Sequence, residues 1–193
     1  MSSRTALGRL KLFLLGRLRP RFVAVVPDLA AEARELLGGA RIEVLPNGVN
    51  LDRFKPVSAA ARAALRAKLG WTGTVFLYTG RLSWEKRLPW FAGLWEEASK
   101  GKESTLVLVG EGTERPRQAK ILPPADDTAP LYAAADVFVL PSVSEGLSNS
   151  LLEAMSSGTA ILASAVGEPK RRSSTGRRGF CSRRTTRKRP SST

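Results

Sequence analysis

One stretch decides the class of fold open to this chain. Residues 136–167, DVFVLPSVSEGLSNSLLEAMSSGTAILASAVG, read as strand, loop, helix and strand. Val137-Phe138-Val139-Leu140 is a continuous apolar run, the pattern of a strand buried on both faces of a parallel sheet. Pro141 ends it, and 142–146 is small and polar, as befits a loop at a strand's carboxyl end. From Leu147 the apolar spacing turns helical through Leu151, Leu152 and Met155, and Gly158 supplies the stop. Ala160-Ile161-Leu162-Ala163 is the next buried strand. The expected class is therefore α/β, with a Rossmann-like parallel sheet. Ligands of such sheets bind at strand carboxyl ends, where helix N-termini favour anionic or hydroxyl-rich groups. Glu145 lies in the loop and Glu153 two turns into the helix. Within one helix they would stand roughly 80° apart, but Glu145 precedes the helix, so both can face one cleft. Taken alone, two solvated glutamates flanking a surface helix would look the same.

Composition narrows the chemistry. The 193 residues suit one ordinary domain plus extra, and 42% hydrophobic content is ample for a core. A single cysteine, Cys181, excludes a disulfide framework and fits a reducing compartment, which points to the cytoplasm. With no histidine in the chain, His-based acid/base, Ser-His and His-metal chemistry are unavailable within it. The formal charge of +14 would suggest nucleic acid or an anionic membrane. Ten of those charges sit in residues 169–193, which carry no acid, so the body is only mildly basic.

The remainder of the chain reads in the same α/β alternation. Residues 1–19 are basic with a short apolar core at 12–15, too short for a secretory h-region or a membrane span. An amphipathic helix there could touch an anionic membrane surface, or simply be solvated. Residues 22–26 read as a strand, Asp28 as N-cap of a helix over 29–37, 42–45 as a strand and Pro46-Asn47-Gly48 as a turn. A helix is expected over 59–69, ended by Gly70, then a strand over 74–78. Gly80 lets the backbone turn, and 88–98 is helical with Pro89 in its first turn. Arg81 and Lys86 straddle this turn, where a diphosphate would meet cationic side chains and helix amides together. A strand over 105–109 runs into Gly110-Glu111-Gly112. Residues 114–131 are irregular, with Pro116, Pro123, Pro124 and Pro130, and Asp126-Asp127 reads as solvent-facing. A short helix follows at 131–135.

Three strings together carry a family resemblance. SEGLSNSLLEAMSSGTAILASAVGE resembles the Glu-x7-Glu signature of retaining glycosyltransferases of the two-domain GT-B fold, specifically family 4. VLPNGVNLDRFKP (44–56) resembles the passage from that family's N-terminal domain into its linker. GRLSWEKR (80–87) resembles the segment whose Arg and Lys hold the donor diphosphate, although Arg87 stands where the family usually has Gly. The resemblance covers about 22–167. It implies a remnant of the N-terminal acceptor domain over 1–50 (its last βαβ unit), a linker with a first helix over 51–72, and an incomplete nucleotide-sugar-binding domain over 73–168. Most of the acceptor domain would be missing.

The activity implied is retaining transfer of a sugar from a nucleotide-sugar donor to an acceptor hydroxyl, on a sugar or a lipid-linked acceptor, without a metal or other cofactor and in the cytoplasm or at the membrane's inner face. The implied donor-binding residues are Gly80, Arg81, Lys86, Gly110, Gly112, Glu145, Gly146, Leu147, Ser148, Asn149 and Glu153. Among them, Glu145, Arg81 and Lys86 act on the reacting groups and Glu153 meets the ribose. Between Glu114 and Leu131 the family normally fits a helix, a strand and a Gly turn, so a piece is abbreviated and base-recognising residues are unassigned.

After Gly167 the family pattern stops. Residues 169–193 have too few apolar side chains to offset ordering entropy, so they read as disordered. Codons read one base earlier can restore a family-like sequence, which makes a frameshifted, truncated product the preferred account. The rival is a non-catalytic nucleotide- or nucleic-acid-binding module using the basic arm, its phosphate contacts salt-dependent.

Overall fold

The computed structural model describes residues 21–37 and 41–165, together with Leu14 and the backbone of Phe180–Cys181. The basic segment at the N-terminus and most of the basic tail lie outside the described residues. The chain divides into two units, Met1–Gly48 and Val49–Thr193.

The first unit is a βαβ element. Strand β1 (Phe22–Ala24) pairs in parallel with β2 (Ile42–Val44), and helix α1 (Pro27–Leu36) joins them. Ala24, Ala30, Leu37 and Ile42 form its small core. The helix begins earlier than the sequence suggested. Pro27 occupies the first turn, where its fixed φ and missing N–H cost nothing, and Val26 is the N-cap without a side-chain bond. Asp28 is thus not the cap; its carboxylate lies in the first turn, where the helix dipole favours negative charge.

The second unit is a six-stranded sheet in the order β5 (Lys120–Leu122), β4 (Ser104–Val109), β3 (Thr74–Thr79), β6 (Val137–Leu140), β7 (Ala160–Ser164) and β8 (Phe180–Cys181). Helix α2 (Ala59–Leu69) leads into it, opened by the Ser58 hydroxyl, which accepts from Ala61 N, and closed by Gly70 in the left-handed region at φ 64°. Strand β3 (Thr74–Thr79) is followed by a single 3-10 turn, Trp84–Lys86, and helix α3 (Leu88–Ser99). Strand β4 (Ser104–Val109) pairs with β3 in parallel from Thr74↔Ser104 to Thr79↔Val109. Strand β5 (Lys120–Leu122), helix α4 (Ala129–Ala134), strand β6 (Val137–Leu140), helix α5 (Asn149–Ser156) and strand β7 (Ala160–Ser164) complete the parallel part. Phe180–Cys181, within the segment read as disordered, forms strand β8, antiparallel to β7.

The abbreviated region lacks more than one part: no glycine lies between Gly112 and Gly146, so the Gly turn is absent. The strand survives as β5, on the outer edge beside β4. The helix does not: 110–119 crosses from β4 to β5 as turns and bends. Three residues bounded by prolines give no periodic signal. They become a strand because β4 offers an unpaired edge with Val107, Leu108 and Val109 in register with Lys120, Ile121 and Leu122.

The core lies between the central strands and the helices on either side. Val75, Leu77, Leu106, Val107, Leu108, Phe138 and Val139 are almost wholly buried, as are Leu82, Leu88 and Tyr132 from the connecting segments. Trp71 and Phe54 close one end. A charged knot ties α2 to the sheet. Asp136, just ahead of β6, accepts from Arg62 Nη2 at 2.6 Å, Arg66 Nη1 at 2.9 Å and Val75 N at 2.8 Å. The two arginines, one helical turn apart, also donate to the carbonyl of Ala134 at the end of α4. These bonds hold the Asp136 carboxyl below its usual range: burial opposes the shift, and the Val75 amide and the two guanidiniums outweigh it. Among the described residues no helix is long and apolar enough to cross a membrane.

Candidate functional site at the carboxyl ends of the strands

The carboxyl ends of β3, β4 and β6 open into a cleft of about 730 Å³ within the second unit. Gly80 and Arg81 follow β3, Gly110 and Glu111 follow β4, and Glu145 comes from the loop after β6. Ser148, Asn149, Ser150 and Glu153 of the α5 N-terminus form the opposite wall. The glutamates that the sequence pairs eight residues apart therefore do share one cleft. The reason is the one anticipated: the helix starts at Asn149, after Glu145, so the loop swings Glu145 to the face that Glu153 presents.

Of the expected site residues, Gly80, Arg81, Gly110, Glu145, Ser148, Asn149 and Glu153 line this cleft. Lys86, Gly112, Gly146 and Leu147 do not lie on its wall. Lys86 sits directly behind it. Its Nζ reaches Glu145 Oε1 at 2.5 Å, with only 15% of the Lys86 side chain and 13% of the Glu145 side chain exposed. The same oxygen accepts from the hydroxyl of the fully buried Ser142 at 2.6 Å. Arg81, in contrast, is exposed, and its guanidinium makes no side-chain hydrogen bond or ion pair among the described residues. The two cations that the sequence placed together thus differ: one is engaged by a carboxylate and one is open to the cleft.

The glycines serve the approach of two loops. Gly110 and Gly112 have φ of 147° and 144°. A Cβ on Gly110 would lie 2.0 Å from the carbonyl oxygen of Gly80, and one on Gly112 would lie 2.2 Å from that of Leu82. The loops after β3 and β4 therefore continue the parallel ladder beyond the strands, with Leu82 N donating to Glu111 O at 2.7 Å and Glu114 N to Leu82 O at 2.9 Å. Gly112 shapes the wall from behind. Arg87, in the place of the family's usual glycine, keeps the left-handed backbone at φ 52°, ψ 32°. Its guanidinium lies 3.9 Å above the Trp90 ring, an attraction that offsets part of the strain.

Several cleft residues had no part in the site as read from the sequence. Arg53 and Phe54 come from the segment before α2, and Pro124, Ala125 and Asp126 from the loop after β5. Arg53 donates to Asp127 Oδ1 from Nε at 3.1 Å and from Nη2 at 2.9 Å, and to Asp126 O at 2.7 Å. Asp127 faces solvent, as the sequence suggested, with its side chain 59% exposed, and is also paired with Arg53 across 74 residues. Asn50 had no assigned part either; its side chain accepts from the amides of Asp52 and Arg53 and shapes this turn.

Two buried phenols stand under the cleft. Tyr78 donates to the carbonyl of Arg81 at 2.8 Å, and Tyr132 donates to Glu153 Oε2 at 2.8 Å. Burial first, then the charge of Glu145, raises the Tyr78 pKa. Burial likewise raises that of Tyr132, reinforced by Glu153 and opposed by the Thr79 hydroxyl. Both stay neutral donors at any ordinary pH. Among the described residues no group of three or more Asp, Glu or Cys side chains is placed to hold a metal ion.

A Rossmann-like parallel sheet with a cleft across its carboxyl ends is an open α/β architecture, here that of the GT-B glycosyltransferases. The chain belongs to the group 1 glycosyltransferases: the profile described as "Glycosyl transferases group 1" matches residues 73–187, reaching past Gly167 into the basic segment. A D-inositol 3-phosphate glycosyltransferase of Streptosporangium roseum is 34% identical over 173 residues, covering 76% of this chain and 40% of its own length. A UDP-Gal:alpha-D-GlcNAc-diphosphoundecaprenol alpha-1,3-galactosyltransferase of Escherichia coli is 32% identical over 149 residues, covering 65% and 37%. Among solved structures, sucrose-phosphate synthase of Thermosynechococcus elongatus superposes with a TM-score of 0.63 at 25% identity, over 82% of this chain and 44% of that one. Anabaena HepE, solved in complex with UDP and glucose, gives 0.65 at 21% identity over 82% and 49%, a likeness of fold. The chain spans about two fifths of the length of the curated relatives it matches.

Proposed function

We propose that this chain supplies the donor side of a retaining glycosyltransferase of the family 4 kind, binding a nucleoside diphosphate sugar in the cleft at the strand ends. One observation carries the reading. The exposed guanidinium of Arg81, the first residues of α5 from Ser148 to Ser150 and two carboxylates, Glu145 and Glu153, line a single cleft. A diphosphate needs cations and undirected N–H groups, and the first turn of a helix offers both dipole and donors. Arg81 and the amides from Ser148 to Ser150 meet the diphosphate and stabilise the charge that gathers on it as the glycosidic bond to phosphate breaks. Lys86 adds its charge once the donor draws it from Glu145, and Glu145 then faces the developing positive charge at the anomeric carbon. Gly80, Gly110 and Gly112 keep the walls close, Gly146 and Leu147 carry the loop, and Glu153 accepts from ribose hydroxyls.

The diphosphate charge is met by Arg81 and Lys86 rather than by a metal ion. The acceptor is a hydroxyl on a sugar or lipid-linked glycan, in keeping with the lipid-linked acceptor of the Escherichia coli relative, and the reaction runs in the cytoplasm, in keeping with a single cysteine.

Calorimetric titration of the full chain with UDP, GDP and their sugar derivatives tests the site. Arg81→Ala should lower affinity by about tenfold or more, the scale of one lost hydrogen bond to a charged group. Equal affinity of wild type and variant would reject the assignment.

A further inference from the structure

The cleft contains a device that the Glu-x7-Glu pattern does not describe: a buried relay that aims one of its glutamates. Tyr132, on α4, is fully buried, and its ring is fixed on two sides. Phe54 meets it edge-on at 5.9 Å and 71°, and Phe138 at 5.7 Å and 57°. The phenol oxygen so placed lies 2.8 Å from Glu153 Oε2 and 2.5 Å from Thr79 Oγ1. A phenol has one proton. Since an ionised carboxylate can only accept, that proton goes to Glu153, and the Thr79 hydroxyl donates to the phenol. Direction is thereby set along the chain Thr79, Tyr132, Glu153. One carboxylate oxygen is engaged from below, and among the described residues no hydrogen bond occupies the other, Oε1.

We propose that Tyr132 is a positioning residue. It holds Glu153 Oε2 so that Oε1 is presented to the vicinal hydroxyls of a ribose in the cleft, and this makes the site selective for ribonucleotides. The inference rests on the donor-site reading above and deepens it. A free glutamate on a helix surface has several rotamers, and fixing one before the ligand arrives removes the entropy that binding would otherwise cost. Thr79 ends β3, Tyr132 lies on α4 and Glu153 on α5, so the relay also ties three elements to one orientation.

The measurement is a ratio: the affinity of the full chain for UDP or GDP against that for the 2′,3′-dideoxy counterpart. Wild type should prefer the ribonucleotide by about tenfold or more, the scale of hydrogen bonds to a charged acceptor. Glu153→Gln should bring the ratio close to one. Tyr132→Phe keeps the ring and its packing, so the dideoxy affinity should be unchanged while the ratio falls by about threefold or more. Thr79→Val leaves Tyr132 its ring and should lower the ratio in the same direction, which keeps the test open if Tyr132→Phe fails to fold. A purely structural role would weaken both ligands equally and leave the ratio intact.

A ratio that survives Tyr132→Phe or Thr79→Val but collapses in Glu153→Gln overturns the relay and leaves the donor site standing. Absence of nucleotide binding, or of any ribose preference, in the wild type overturns the donor-site reading and the relay with it.

Discussion

Replacing Asp136 by alanine should destabilise the second unit more than any other single change on its polar surface. The carboxylate accepts three hydrogen bonds, two of them from guanidiniums, and all three span 61 to 74 residues of chain. Bonds to charged groups are worth about 1.5–3 kcal/mol each when buried. The Asp136 side chain is 31% exposed, and Arg62 is 36% exposed, so water can repair part of the loss. The Val75 amide cannot be repaired so easily, because Val75 is wholly buried. Together these give a loss of about 2–3 kcal/mol, a sizeable share of a typical stability of about 5–15 kcal/mol.

Urea denaturation followed by tryptophan fluorescence would measure it. The effect must also depend on pH in a defined direction. The folded-state pKa of Asp136 lies below its unfolded value of 3.8. Its contribution is therefore fully present above that value and is lost as pH falls through the folded pKa. The gap between wild type and Asp136→Ala should stay constant from neutral pH down to about 5 and narrow below about 4. A loss under about 0.5 kcal/mol, or a gap unchanged at pH 3, would refute this account of the knot.

Two glycines should respond to alanine with opposite sign. Gly112→Ala places a Cβ 2.2 Å from the Leu82 carbonyl oxygen at a φ of 144° and should cost about 3 kcal/mol or more in chemical denaturation, whereas Gly93→Ala, mid-helix with nothing within 4 Å, should add about 0.5–1 kcal/mol. At position 87 the left-handed backbone should make glycine better than alanine by about 1 kcal/mol, since both lose the Trp90 contact equally; equal melting of Arg87→Gly and Arg87→Ala would contradict it.

What the sequence determined by itself is whatever is encoded within a turn or two of chain. Helix α2 was legible to the residue because a helical run ends at Gly70, and β6 because four apolar residues end at a proline. The two glutamates and Arg81 were legible as parts of a spaced pattern. Tertiary structure decided the rest. Strand β5 exists because β4 has an edge to pair. Arg53 finds Asp127, and Tyr132 finds both Thr79 and Glu153, across 74, 53 and 21 residues respectively. No periodicity spans such distances. Local hydrogen bonds and apolar spacing leave their mark in the order of residues, but a long-range polar contact is specified only once packing has fixed both partners in space, and the aim of Glu153 is a property of that packing.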